Sequence, residues 1–272
     1  MDRTILFLDL DGTLLNDQKE VTPGNRRAIG EALRRGRRIV VTSGRPLKSS
    51  MAQARRLGLA GDGCYVIAYN GAVIYDCREE RAIFRQALNP EDLYRVYDEA
   101  ARRGIYIHTY DREDVVIEPR CAEDNARRYC AAIGLDWRYI EDVRRDLTEA
   151  PVKALLIDYH NREPLEGMER WLRTEMAGRG DCFFSSRYYL EVVAVGMNKG
   201  AAVGKLCALL GSDVQASVAV GDENNDVSMI RAAGVGVAMA NGVQAARDAA
   251  DYITERDNNH DGIEEVIRKF LL

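Results

Sequence analysis

Two acids one residue apart, Asp9 and Asp11, follow the apolar run "ILFL" and are closed by Gly12 and Thr13. An unpaired carboxylate beside an apolar core is costly, and two close together repel each other. Further polar residues follow other apolar runs: Ser43 after "IVV", Asn70 after "VIAY", and Asp222 to Asp226 after "VAV". Lys199 opens a helical pattern, where backbone amides and the macrodipole favour an anion. Carboxylates in this number ask for a hard cation, and an oxygen-only ligand set with an open position suits Mg²⁺. Mg²⁺ completes its shell with phosphate oxygens and water, and Lys199 with Ser43 supplies what the far side of a phosphate needs. Asp9, at the strand end, can attack phosphorus and form an acyl phosphate. Asp11 can protonate the leaving oxygen and later deprotonate a water. Mg²⁺ suppresses the repulsion between attacking carboxylate and phosphate. Asp226 is expected to orient Lys199 rather than to touch metal.

The elements that must position these residues alternate. A strand at "ILFL" precedes a helix opened by Thr22-Pro23 and stopped at Gly36, then "RRIVVTSGRP" and another helix from Pro46. "CYVIAYNGAVIYD" reads as a strand, an Asn-Gly turn and a return strand. Such alternation, with continuous apolar strands, predicts an α/β fold: a doubly wound, mostly parallel, Rossmann-like sheet. Ligands bind such sheets beyond the carboxyl ends of the strands, where the polar clusters fall. After Arg81 the rhythm changes. "IYIHTYDREDVVIEP" alternates as half-buried antiparallel strands do, and helices around Glu123–Ile133 and Pro164–Ala177 follow. From about Tyr189 the βα rhythm returns. The expected organisation is a core of residues 1–80 and 187–272 interrupted by an inserted α+β cap, 81–186.

Composition narrows the function classes. The chain has 272 residues and a net charge of −5, with 46% hydrophobic and 30% charged residues, an ordinary soluble profile. The acidic balance argues against a nucleic-acid surface despite several Arg pairs, which read as solvated helix faces. Six cysteines lie far apart without a Cys-x-x-Cys pair, so zinc is not expected. Met1-Asp2-Arg3 does not open a signal peptide, and no apolar stretch suits a membrane span. Reduced thiols and a cytoplasmic location are the expectation, with a small-molecule partner and a monomer or weak homo-oligomer.

Four motifs, Asp9-Leu10-Asp11-Gly12-Thr13, Thr42-Ser43-Gly44-Arg45, Asn198-Lys199-Gly200 and Gly221-Asp222-Glu223-Asn224-Asn225-Asp226, resemble those of the haloacid dehalogenase-like (HAD) hydrolase superfamily. Their order and spacing are similar to those of Cof-type phosphatases with a class IIB cap. Asn70-Gly71-Ala72, "VAMANGV" and "HDGI" extend the resemblance over the core. The resemblance implies that Asp9 is the nucleophile and Asp11 the acid/base. It implies that Asp9, the backbone carbonyl of Asp11 and Asp222 hold Mg²⁺, and that Ser43, Gly44, Lys199 and Asn225 hold phosphate. Ser43 stands where many relatives carry Thr; the hydroxyl survives.

Asn70, Arg45 and His108 remain as possible substrate contacts. Asn70 suits a hairpin turn as well as a cleft, and His108 shares with Tyr106 and Tyr110 a strand face that suits packing as well as substrate. The expected activity is a Mg²⁺-dependent phosphatase of small phosphorylated metabolites, sugar phosphates first, working through an aspartyl phosphate. The alternatives are a phosphomutase of the same superfamily and a non-enzymatic phospho-aspartate switch.

Overall fold

The structure, a computed structural model, describes residues 4–112, 114–119 and 123–272. Met1-Asp2-Arg3 and Cys121, on which the leader and cysteine expectations touch, lie outside the described residues. Two compact units divide the chain, one running to Phe84 and resuming at Asn198, the other spanning Arg85–Met197.

The first unit opens with β1 (Ile5–Leu8), α1 (Pro23–Arg34), β2 (Arg38–Thr42), α2 (Leu47–Leu57), β3 (Cys64–Ala68), β4 (Val73–Asp76) and β5 (Arg81–Arg85). Every residue of β1 is buried, as a strand covered on both faces requires. Ile5 and Phe7 pack against Val203, Leu206 and Met229, so Leu6 and Leu8, one residue out of phase, face the opposite layer.

The second unit comprises α3 (Pro90–Arg103), β6 (Tyr106–Asp111), β7 (Asp114–Ile117), α4 (Glu123–Ile133), β8 (Trp137–Tyr139), α5 (Val143–Asp146), β9 (Lys153–Ile157), α6 (Glu163–Glu175), β10 (Gly180–Ser186) and β11 (Tyr189–Ala194). Its six-stranded sheet, in the order β10-β11-β9-β6-β7-β8 among the described residues, is antiparallel except where β8 joins β7. Ile105, Ile107, Leu190 and Val192 pack with Val96, Tyr97, Met168 and Leu172 in its core.

Two expectations are corrected here. "YLEVVA" reads as the return of the βα rhythm, yet β11 pairs antiparallel with both β9 and β10. An apolar run does not disclose the direction of its neighbours, so the second junction lies at Met197/Asn198 rather than near residue 187. The half-buried pattern assigned to β6 is also wrong, because all six of its residues are buried. The face bearing Tyr106, His108 and Tyr110 is covered by rings, Tyr129 of α4 among them.

The chain then returns through α7 (Lys199–Leu209), β12 (Ser217–Gly221), α8 (Val227–Ala232), β13 (Val235–Ala238), α9 (Gln244–Ala249), β14 (Tyr252–Ile253) and α10 (Gly262–Phe270). The eight-stranded sheet runs β14-β13-β12-β1-β2-β3-β4-β5 among the described residues. From β14 to β3 every pairing is parallel, and β4 turns antiparallel. The order reverses between β1 and β12, so Asp9 and Asp222 emerge side by side at the switch point of a doubly wound sheet.

Helix α1 begins as Thr22-Pro23 suggests, with proline in its first turn, but the Thr22 side chain does not cap it. The cap comes from Asp261, whose Oδ1 accepts from Thr22 Oγ1 at 2.5 Å and from the Asn25 amide at 3.1 Å. Burial pushes the Asp261 carboxyl up, but these hydrogen bonds outweigh it and hold it below its ordinary value. Losing such a cap costs about 1–2 kcal/mol. Asp261→Ala is expected to lose that much in urea unfolding at neutral pH. A carboxyl depressed in the fold stabilises above its unfolded value, about 3.9. The difference from wild type should therefore shrink as pH falls below that, and a difference independent of pH would contradict the cap.

Candidate active site

The strand ends and one helix N-terminus bring the polar residues together within the first unit. Asp9 follows β1 and is 8% exposed. Lys199, the first residue of α7, is 1% exposed, its backbone set by Asn198, whose side chain accepts from the Ala201 amide at 2.9 Å. Lys199 Nζ donates to Asp9 Oδ1 and to Asp226 Oδ1, each at 2.6 Å. Asp226 Oδ2 accepts from the amides of Asp222 and Glu223, each at 3.0 Å. Both oxygens of Asp226 are therefore engaged, and it fixes Lys199 against the loop after β12. Gly200 lets α7 come this close, because a Cβ there would lie 2.2 Å from the Ser228 carbonyl oxygen.

Asp222 sits over the first loop. Thr13 Oγ1 donates to its Oδ1 at 2.6 Å, and a Cβ on Gly12 would lie 2.3 Å from its Oδ2. Gly12 also has φ +83°, a conformation glycine adopts without strain. Its carbonyl accepts from Asn241 Nδ2 at 2.8 Å. One carboxylate oxygen from each of Asp9, Asp222 and Asp226 lies within 4.8 Å of the other two. Three carboxylates thus face one ammonium. Burial favours a neutral lysine, but Asp226 and Asp9 outweigh it and keep Lys199 charged. The surplus negative charge goes uncompensated: burial first, then Asp226, raises Asp9 well above the ordinary carboxylate range. Burial, opposed by the Thr13 hydroxyl and aided by Asp226, raises Asp222 to about 6. Without a cation these shifts favour protons on Asp9 and Asp222; an all-oxygen set of this kind fits a hard divalent cation, and Asp9 and Asp222 are the members with oxygens to offer it.

Asp11 is placed differently. Its Oδ2 accepts from Arg45 Nη2 at 2.7 Å and Nε at 3.1 Å, and its Oδ1 from Lys19 Nζ at 2.8 Å. Burial pushes this carboxyl up, but the two cations prevail and hold it below its ordinary value. Arg45, expected as a substrate contact, is thereby engaged with the acid. Ser43 is buried after β2, its Oγ accepting from the Arg45 amide at 3.2 Å, with Gly44 between them. Asn70 adopts φ 53° in the turn after β3. Its amide donates to the Ser43 carbonyl at 3.1 Å, and its Oδ1 accepts from Asn225 Nδ2 at 3.3 Å. Asn70 and Asn225 are thus grouped with Ser43 and Gly44.

His108 belongs to the second unit and is completely buried, with Nδ1 2.9 Å from the Tyr106 hydroxyl and Nε2 3.2 Å from the Tyr110 hydroxyl. Burial, reinforced by Lys153, holds its pKa well below normal. Both ring nitrogens are thus engaged, and His108 packs among tyrosine rings. Lys19, Thr13 and Asn241 join the site beyond the expected residues; Thr13 lies inside Asp9-Leu10-Asp11-Gly12-Thr13 and Asn241 within "VAMANGV", but Lys19 has no local signal in the sequence.

Comparison with known proteins gives the family. A family model described as haloacid dehalogenase-like hydrolase matches residues 6–267. YxeH of Bacillus subtilis is 31% identical over 270 residues, covering 98% of each chain. YcsE of the same organism, a 5-amino-6-(5-phospho-D-ribitylamino)uracil phosphatase, is 28% identical over 274 residues, covering 100% of this chain and 97% of its own. The crystal structure of a haloacid dehalogenase-like hydrolase from Bacteroides thetaiotaomicron superposes with a TM-score of 0.88 at 31% identity, covering 98% of this chain and 99% of that one. The chain belongs to the haloacid dehalogenase-like hydrolase family and is a phosphoric monoester hydrolase.

Proposed function

We propose that this hydrolase releases phosphate from small phosphorylated metabolites, sugar phosphates foremost, through a phosphoryl group carried on Asp9. The observation behind this reading is the buried Asp9 carboxylate at the end of β1, with one oxygen held by Lys199 and Asp222 beside it. Ser43, Gly44, Lys199 and Asn225 would hold the phosphate oxygens. An Asp9 oxygen bonds to phosphorus as the ester P–O bond breaks. Arg45 and Lys19 hold Asp11 low in the free protein, so the proton it would give to the departing ester oxygen arrives with the monoester monoanion; Asp11 would then take one from the water that attacks the acyl phosphate and frees Asp9 and inorganic phosphate. Asp9, Asp222 and the backbone carbonyl of Asp11 would hold Mg²⁺, which when bound supplies neutralisation of phosphate charge. Asp226 keeps Lys199 aimed at Asp9.

All of these residues lie in the first unit, so discrimination among esters is assigned to the second, as an inserted cap. The named substrate of YcsE, a phosphorylated ribityl compound, supports a polyol or sugar phosphate. A cytoplasmic location is proposed because Cys64, Cys77, Cys130, Cys182 and Cys207 are buried free thiols. Among the described residues no helix is long and apolar enough to cross a membrane.

Phosphate release from a panel of sugar, polyol and nucleotide monophosphates tests the reading. Activity should vanish in excess chelator, return with Mg²⁺, and be inhibited by Ca²⁺, whose looser geometry would let it bind both Asp9 oxygens. Full activity in chelator would contradict the metal's part, and an isomeric phosphate ester in place of inorganic phosphate would make the enzyme a mutase.

A further inference from the structure

Asp11 lies on a loop, and its side chain is 39% exposed. A short carboxylate in that position is free to change rotamer unless something holds it. Arg45 grips one oxygen, Oδ2, with two nitrogens. Contacts on a single oxygen leave the carboxylate able to swing about it. Lys19 Nζ, at 2.8 Å, takes the other oxygen, and two anchors on two oxygens fix the carboxylate plane.

The backbone around Lys19 is built to that end. Lys19 has φ +61°, a left-handed conformation that costs free energy in a residue with a side chain. The turn holding it closes on Asn16: the Lys19 amide donates to the Asn16 carbonyl and the Asn16 amide to the Glu20 carbonyl, each at 2.9 Å. The Asn16 Oδ1 accepts from the Glu20 amide, also at 2.9 Å. One step before this turn, the Leu15 carbonyl is tied down by Asn258 Nδ2 at 3.0 Å. The Lys19 side chain itself is 56% exposed, and an ion pair so exposed contributes little to stability. The Lys19 carbonyl also accepts from Arg56 Nη2, so the turn is held through its backbone, and the Lys19 side chain is left to bring an ammonium to Asp11.

We propose that Lys19 is a positioning residue for Asp11, holding its carboxyl group where it serves the leaving ester oxygen. This rests on the reading of Asp11 as acid/base. In the step concerned, the Asp9–phosphorus bond forms, the ester P–O bond breaks, and the Asp11 proton passes to the departing oxygen. A leaving group as weakly basic as p-nitrophenolate departs without that proton, whereas an alkoxide does not. A displaced acid is thus felt by alkyl esters and hardly by activated aryl esters.

The test compares kcat/KM for glycerol phosphate and p-nitrophenyl phosphate in wild type, Lys19→Met, Lys19→Arg and Asp11→Asn. Methionine keeps the stem length and carries the same backbone strain, so the Tm should hold within about 2 °C. In Lys19→Met the alkyl ester should fall by about 10- to 100-fold and the aryl ester by less than about 3-fold. Lys19→Arg should recover most of the alkyl activity. Asp11→Asn should show the same selectivity more steeply. An equal fall on both esters in Lys19→Met would make Lys19 a general electrostatic or substrate contact, and no fall on either would make it a surface lysine. Either result overturns the proposal while Asp11→Asn remains selective. If Asp11→Asn shows no selectivity, the reading of Asp11 fails, and the proposal falls with it.

Discussion

Asp9→Asn is expected to lower kcat by at least about 10³-fold on every ester, because the amide keeps the shape but removes the attacking charge. Misfolding would give the same loss, and stability separates the two. Asp9 is one of three buried carboxylates facing the single ammonium of Lys199, and its charge is disfavoured where it sits. A neutral asparagine relieves that repulsion while Lys199 keeps Asp226. The variant should therefore unfold at the same or a higher temperature than wild type. Thermal melts beside kcat check this, and retention of more than a few per cent of activity would remove Asp9 from the nucleophile's role.

Lys199→Met has the opposite signature. It deletes the cation shared by Asp9 and Asp226 and leaves both carboxylates buried without it. Removing one partner of a buried ion pair costs about 3–5 kcal/mol, so a large fall in the denaturant midpoint should accompany the kinetic loss. All monoesters present the same phosphate, and kcat/KM should fall by about 10²- to 10³-fold with the ranking of substrates unchanged. A variant that unfolds like wild type would show that Lys199 does not compensate the cluster. A changed ranking would place it against the variable part of the substrate.

The sequence displays the acids because their placement is locally improbable: "ILFL" is buried throughout, so carboxylates directly after it mark a strand end built for ligands. The neighbourhood of Asp9 and Asp222 follows from topology, since parallel strands present their carboxyl ends on one side. Contacts fixed only by the folded chain are invisible beforehand. Asp261 caps α1 across 239 residues, and Lys19 reaches Asp11 from a turn whose left-handed residue is not glycine. Strand direction is hidden for the same reason. "YLEVVA" is apolar enough for either sheet, and only its register with β9 and β10 puts it in the second unit. For His108, alternation shows which residues share a face but not what covers that face; here it is other rings and hydroxyls.

The most direct measurement of the central claim uses Asp11→Asn, in which loss of the base should slow hydrolysis of the phosphoryl enzyme. The variant is mixed with Mg²⁺ and p-nitrophenyl phosphate, which needs little help to leave, then quenched in acid within milliseconds, digested and mapped by mass spectrometry. One added phosphoryl group on Asp9, approaching one per chain and absent from the Asp9→Asn, Asp11→Asn double variant, is the expected result. A phosphoryl group on any other residue, or none while p-nitrophenol is released in turnover, would contradict covalent catalysis by Asp9.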